Sequence, residues 1–438
     1  MDQNQQERRE ARRKRRQRNQ IASYMTVIIF IILMAVGIVM GVNKLTQTAK
    51  EQQEVQQDKV DAMLGTEETI EVPTEEPSEP TDVVVELTPE QKLDAIVNAG
   101  IEVMPLEDKV AGLFIVTPEA ITGVSTAVKA GDGTREALAK YAVGGLVYFS
   151  KNIQSQAQIK EMIDNTQLYA KYPLFIAVDE EGGSVSRVVD AGIGTKVDSA
   201  QIIGQTGDAN NAYQAGKVIG GYLSELGFNL DFAPVADLNN VEKSAVGDRS
   251  YGSAAATVAP FVTSMMQGLE EQKVTACLKH FPGIGSTTQD SHDGMATTER
   301  TLEEFRANEF AVFQAGIDAG ADMIMVGHLF APALTGDNMP CSMSSAVVTD
   351  ILRNELGYDG VVISDALNMA AISEYYDSEQ AAILALRAGC DMLLMPEDFE
   401  KAYNGVLQAV NDGTISEERI NDSLRRIYRI KYADKIEQ

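Results

Sequence analysis

The segment "GVVISDAL", residues 360–367, is a run of glycine and β-branched apolar residues that closes on Ser364 and Asp365. It is too short for a helix and lacks polar alternation, so it reads as a strand buried on both faces with its polar residues at the C-terminal end. Seven other runs share this form: "AGLFIVTP" from Ala111, "VGGLVYFS" from Val143, "PLFIAVDE" from Pro173, "FNLDFAPVAD" from Phe228, "VTACLKHF" from Val274, "ADMIMVGHL" from Ala321 and "CDMLLMP" from Cys390. Helical patterns such as "QAQIKEMIDNTQLYAK" and "AAATVAPFVTSMMQGLEEQ" lie between them. Eight strand–helix units over residues 89–438 predict a closed (β/α)8 TIM-type barrel. An open doubly wound sheet is the second reading, but no GxGxxG follows the first run, so its nucleotide-binding form gains no support.

Ahead of this region the chain divides into three. Residues 1–20 contain the basic cluster "RREARRKRRQR". Residues 21–43 begin "IASYMTVIIFIILMAVGIVMGV", uncharged and long enough to cross a bilayer as a helix. The positive-inside rule then keeps the arginines in the cytoplasm and puts everything after Lys44 outside it, as a single-pass cell-membrane protein. A cleaved signal peptide fits less well, because the apolar run exceeds a usual h-region and no small-x-small site follows. Residues 44–88 include "GTEETIEVPTEEPSEPTD", rich in Glu, Pro and Thr, and read as a disordered, acidic tether.

Composition narrows the partners. The chain holds 37 basic and 64 acidic residues, a formal charge of −27 that repels phosphate backbones and argues against nucleic acid. Cys277, Cys341 and Cys390 stand far apart with no CxxC pair, so neither a zinc site nor a disulfide framework is signalled.

In a barrel, chemistry sits where strands end. Here five such ends read "VDEEGG", "DFAPVADLN", "KHFPG", "GHL" and "SDALNM". Any one of these residues alone has a bland explanation, since an Asp there often caps the next helix and a lone His usually packs. Together they present Asp, Lys and His to one face, where buried charges need partners or a ligand. Two of the three histidines fall in "KHFPGIGSTTQDSH", residues 279–292. The spacing of Asp290 and His292 leaves two readings open: a carboxylate orienting an imidazole that gives and takes a proton, or a capping Asp beside a solvated His.

At these residues the chain resembles glycoside hydrolase family 3, in its single-barrel β-N-acetylglucosaminidase branch. The matching pieces are "VDEEGGSVSR", "DFAPVADLN", "GDRSYG", "LKHFPGIGSTTQDSH", "MIMVGHLFAPAL" and "LRNELGYDGVVISDALNMAAI", in the family's order. The resemblance implies that Asp365 is the nucleophile of a retaining reaction through a covalent glycosyl-enzyme, and that His292, supported by Asp290, is the acid/base. It implies that Asp179 bonds sugar hydroxyls and that Arg249, Lys279 and His280 hold the ring and its substituents. Met369 would cover the ring near the nucleophile. Arg187 is a lesser candidate, with a structural ion-pair partner at the barrel mouth as its other reading, and His328 either lines the site floor, pairs with a carboxylate or packs. No metal and no cofactor are expected, because Asp365 supplies charge stabilisation and His292 the proton.

Two departures from the family's pattern stand out. The usual "KHFPGHGDT" reads "KHFPGIGST" here, with Ile284 and Ser286 in place of a His and an Asp, and Ser184 stands where an Arg is common. The expected function is an exo-acting β-N-acetylglucosaminidase removing terminal GlcNAc from muropeptide-derived or related glycans. A β-N-acetylglucosaminide phosphorylase, with phosphate in place of water, and an inactive membrane-anchored glycan-binding protein are the alternatives. A β-glucosidase fits less well, since its usual second domain has no room after residue 438.

Overall fold

The computed structural model describes residues 87–289 and 294–433. The basic tail, the expected membrane span, nearly all of the tether, and both Asp290 and His292 therefore lie outside the described residues. Among those described, no helix is long and apolar enough to cross a membrane.

The chain divides into two units, one of residues 1–104 and 432–438, the other Pro105–Lys431. In the first, a helix spans Pro89–Glu102. Thr88 starts it with a reciprocal cap: Gln91 N–H donates to Thr88 Oγ1 at 3.2 Å and Thr88 N–H to Gln91 Oε1 at 2.9 Å. Pro89, which has no N–H to leave unpaired, occupies the first turn.

The second unit is the barrel. Its strands are β1 (Phe114–Val116), β2 (Gly145–Val147), β3 (Phe175–Val178), β4 (Leu230–Asp231), β5 (Thr275–Phe281), β6 (Met323–Val326), β7 (Val361–Ala366) and β8 (Met392–Leu394). One strand falls in each of the eight apolar runs. All neighbours are parallel, and β1 closes the ring by pairing with β8 through Phe114 and Leu393 and with β2 through Ile115 and Gly145. The strands read as continuous apolar runs because both faces are covered: every residue of β1, β2, β3, β6 and β8 is buried.

The outer helices pack closely where glycine permits. Helix Asn210–Leu226 crosses helix Ala255–Glu271 at Gly216 and Gly268. A Cβ on Gly216 would lie 2.3 Å from the Met265 carbonyl oxygen, and one on Gly268 would lie 2.3 Å from that of Tyr213. Pro260 stands inside the second helix, where its missing N–H leaves the Ala256 carbonyl without the usual i+4 donor.

Regularity fails at two places in the barrel. The β5–β6 register shifts between Leu278 and Phe281, and the β7–β8 register shifts between Ile363 and Ala366. Such irregularities re-aim side chains. The residues within them are Lys279 and His280 on one strand and Ser364 and Asp365 on the other.

Candidate active site

Both irregularities open onto one cavity of about 160 Å³ at the C-terminal ends of the strands. Asp179, Glu181, Arg187, Arg249, Lys279, His280 and Asp365 line it, with Phe149, Met325 and Met395 on its apolar side. Seven polar side chains from four stretches of chain thus converge on one small space.

Four of them form one charge cluster. Lys279 Nζ is 2.7 Å from Asp179 Oδ1 and 2.6 Å from Glu181 Oε1. Arg249 grips the same Glu181 in a two-pronged pair, with Nε and a terminal nitrogen each 2.8 Å from a carboxylate oxygen. Burial alone would push the Glu181 carboxyl up, but Lys279 and Arg249 outweigh it and hold it down at about 2. Burial likewise works against charge on Lys279 and Arg249, and their carboxylate partners reverse it, so both are raised and stay protonated. Local folding explains the placement. Asp179 directly follows β3, and the next residues turn back in a hairpin pairing Glu180–Gly182 with Val185–Ser186. Gly182 and Gly183 make that turn at φ +87° and +59°, a region costly for other residues.

His280 is held from behind. Its Nδ1 lies 2.7 Å from Asp237 Oδ2, and the fully buried Asp237 also accepts from the His280 backbone N–H and, at 2.7 Å, from Ile284 N–H. Arg187 differs from the other cations, since no ion pair to it is found among the described residues. Its Nε is buried without a hydrogen-bond partner among them, and its guanidinium lies 5.9 Å from the Phe149 ring centre. Asp365, only 9% exposed, has Oδ1 2.7 Å from the N–H of Ala366.

Met369 and His328 are not among the residues lining this cavity. Met369 is buried in the turn after β7, its N–H donating to the Ala366 carbonyl at 3.0 Å. His328 is fully buried, with Nδ1 2.8 Å from Ser342 Oγ and Nε2 3.0 Å from the Ala366 carbonyl oxygen. Asp290 and His292 lie outside the described residues. Of the departures from the familiar motif, Ile284 is buried beside His280 and Gly327, while Ser286 Oγ donates to Thr298 Oγ1 at 3.3 Å. Ser184 sits on the exposed hairpin turn, 3.1 Å from Asp248.

Glu181 and Asp237 were not singled out from sequence. Both stand in segments whose polar ends were noted, but an acid in a strand-end loop is normally a helix cap. The Gly182–Gly183 turn was the one available sign that Glu181 folds back over the mouth.

Asp231, at the end of β4, is another acid below this cluster. It is fully buried, its Oδ1 accepts from Glu180 N–H at 2.9 Å, and Oδ2 has no partner among the described residues. Burial pushes its carboxyl well above the ordinary range. The folded protein therefore binds this proton more tightly than the unfolded chain, and stability falls as pH rises above the unfolded value near 4. Asp231→Asn, which keeps the acceptor, should raise Tm by about 2–5 °C at pH 7. In thermal melts the gain should vanish below pH 4; an equal gain at both pH values would refute the account.

A second cavity, about 340 Å³, opens at the opposite end of the barrel beside Asp322 and Gly360. It is larger, but Arg425 and Arg426 there are engaged by Asp422 and Asp359 and no nucleophile–acid arrangement is present among its lining residues. Barrel enzymes use the other face.

An eight-stranded parallel barrel whose C-terminal mouth holds a buried carboxylate opposite an ionic cradle defines a class of barrel fitted to small polar ligands such as sugars. The chain matches "Glycosyl hydrolase family 3 N terminal domain" over residues 105–430. It belongs to glycoside hydrolase family 3. It is 33% identical over 325 residues to beta-hexosaminidase A of Pseudoalteromonas piscicida, an alignment covering 68% of this chain and 54% of that protein. It is 34% identical over 266 residues to the beta-hexosaminidase of Methylobacillus flagellatus, covering 59% and 75%. Among solved structures, the family 3 beta-N-acetylglucosaminidase of Paenibacillus sp. FPU-7 superimposes with a TM-score of 0.72 at 36% identity, covering 76% of this chain and 64% of that one. The chain thus spans about half of the first relative and just under two thirds of that structure.

Proposed function

We propose that the protein is a retaining exo-β-N-acetylglucosaminidase acting on terminal GlcNAc of peptidoglycan-derived or related glycans. The observation that carries this reading is the convergence of Asp365 with the Asp179–Lys279–Glu181–Arg249 cluster in one cavity. A cavity of this size suits one terminal sugar. Asp179 and Lys279 hydrogen-bond its hydroxyls, and Arg187 Nε supplies a donor that a sugar oxygen or acetamide would satisfy. The Asp365 carboxylate attacks the anomeric carbon as the aglycone oxygen departs, and the bond to sugar forms as the bond to that oxygen breaks. His292 gives the departing oxygen its proton, then takes one from the water that releases the sugar, with Asp290 orienting the ring. Those two roles rest on the resemblance of "KHFPGIGSTTQDSH" to the family's loop.

The basic cluster and apolar run before residue 44 would hold this barrel on the outer side of the cell membrane, next to wall glycans. Residues 1–20, 21–43, 44–88 and 89–438 would then serve as cytoplasmic tail, anchor, tether and catalytic barrel.

The test is release of nitrophenol from aryl β-N-acetylglucosaminide and aryl β-glucoside by the full chain in detergent, with and without phosphate, while NMR follows the anomer released. Preferred turnover of the acetamido substrate to β-GlcNAc, independent of phosphate, supports the reading. Phosphate-dependent formation of a sugar 1-phosphate would replace it with a phosphorylase, and no turnover by folded protein would leave a glycan-binding protein.

A further inference from the structure

We propose that His328 is a positioning residue for the nucleophile, set by Ser342 and acting through the backbone of Ala366; this rests on the role read above for Asp365. The Ala366 carbonyl can only accept, so the His328 nitrogen 3.0 Å from it, Nε2, carries the ring proton. Nδ1 of the neutral ring is then an acceptor, and the Ser342 hydroxyl, 2.8 Å away, donates to it. Both side chains are fully buried, so neither bond competes with bulk water.

The target of this relay is the residue that touches the nucleophile. Ala366 donates its N–H to Asp365 Oδ1 at 2.7 Å, and its carbonyl accepts from both His328 and Met369 N–H. The same peptide's other side is tied down by Leu367 N–H, which donates to the Leu394 carbonyl at 2.8 Å. The peptide after Ala366 is thus held from both edges, and this fixes the residue whose N–H aims the carboxylate. The lock is needed at this point because the β7–β8 ladder is irregular between Ile363 and Ala366, so regular pairing does not set the backbone there. What distinguishes this histidine from a packing one is where its ring reaches: Nε2 lies 3.0 Å from the carbonyl of the residue whose N–H bonds Asp365.

His328→Ala should lower kcat on aryl β-N-acetylglucosaminide by about 10²-fold, as expected for a misplaced reacting group. KM and inhibition by free GlcNAc should change less than about twofold, because the sugar cradle is untouched. The loss in kcat/KM should be the same for dinitrophenyl and nitrophenyl substrates, since attack by Asp365 is common to both. His328→Gln, whose amide can donate to the same carbonyl, should recover about tenfold of the loss. Should His328→Ala fail to fold, Ser342→Ala, which removes one hydroxyl, should show the same kcat-only pattern at about fivefold. Wild-type protein that turns over no aryl glycoside overturns the functional reading. Active wild type with the His328→Ala or Ser342→Ala variant at full kcat, or with KM rising in step and no recovery by Gln, overturns this inference alone.

Discussion

Asp365→Asn should abolish turnover of aryl β-N-acetylglucosaminide by at least about 10³-fold in kcat while leaving the fold intact. The amide oxygen can still accept from Ala366 N–H, so the hydrogen bond now at 2.7 Å is retained and Tm should stay within about 2 °C. In the role proposed for Asp365, what is lost is the charge that stabilises the oxocarbenium-like transition state and the oxygen that bonds to the anomeric carbon. A sharper form uses Asp365→Gly with added azide. The small anion enters the vacated space from the nucleophile's side, forms the carbon–nitrogen bond as the aglycone leaves, and gives the α-glycosyl azide with one inversion. Retention of more than a tenth of wild-type kcat in Asp365→Asn, or rescue with a β-azide, would remove Asp365 from the nucleophile's role.

Glu181→Gln should have the largest effect on stability of any single change at the mouth. The carboxylate is shared by Lys279 and Arg249, whose side chains are 3% and 21% exposed. Removing one member of a buried ionic group leaves its partners uncompensated, at a cost of about 3–5 kcal/mol. For a domain of this size that lowers Tm by roughly 6–10 °C. Activity should fall with it by about 10²-fold, because Lys279 and Arg249 lose the shared anchor that orients them. The pH dependence has a defined sign. The folded carboxyl is held at about 2, below its ordinary value of 4.5, so its contribution is complete above pH 4.5 and is lost as pH falls toward 2. Melts of wild type and variant across that window should converge at the acid end. A constant Tm difference down to pH 2 would show that Glu181 acts by shape and not by charge.

The barrel was legible because its strands are covered on both faces. A run such as "GVVISDAL" needs no alternation to be recognised, and each of the eight apolar runs contains one barrel strand. The same burial hid other features. The hairpin of Glu180–Gly182 with Val185–Ser186 is too short to leave a periodic signal, so Glu181 passed unnoticed two residues beyond Asp179. Asp237 looked like any acid in a loop, because its three bonds to His280 and Ile284 span more than forty residues of sequence. His328 was noticed at the end of a strand, but Ser342 and Ala366, which its ring contacts, are 14 and 38 residues away in sequence. Spacing can report neighbours along a strand or helix; contacts across the barrel mouth leave no such trace.

The ionic cradle also bears on how such a barrel could change its substrate over generations. Asp179, Glu181, Arg249 and Lys279 come from three separate stretches of chain, yet each holds a charge that another must match. A single substitution among them strands a buried charge, so a change at one calls for a matching change at another. The hairpin turn at Ser184 and the Ile284–Ser286 segment lie outside that mutual dependence. A change of side chain at exposed Ser184 therefore strands no charge, whereas Gly285 has no room for one, since a Cβ there would meet the Leu238 carbonyl oxygen.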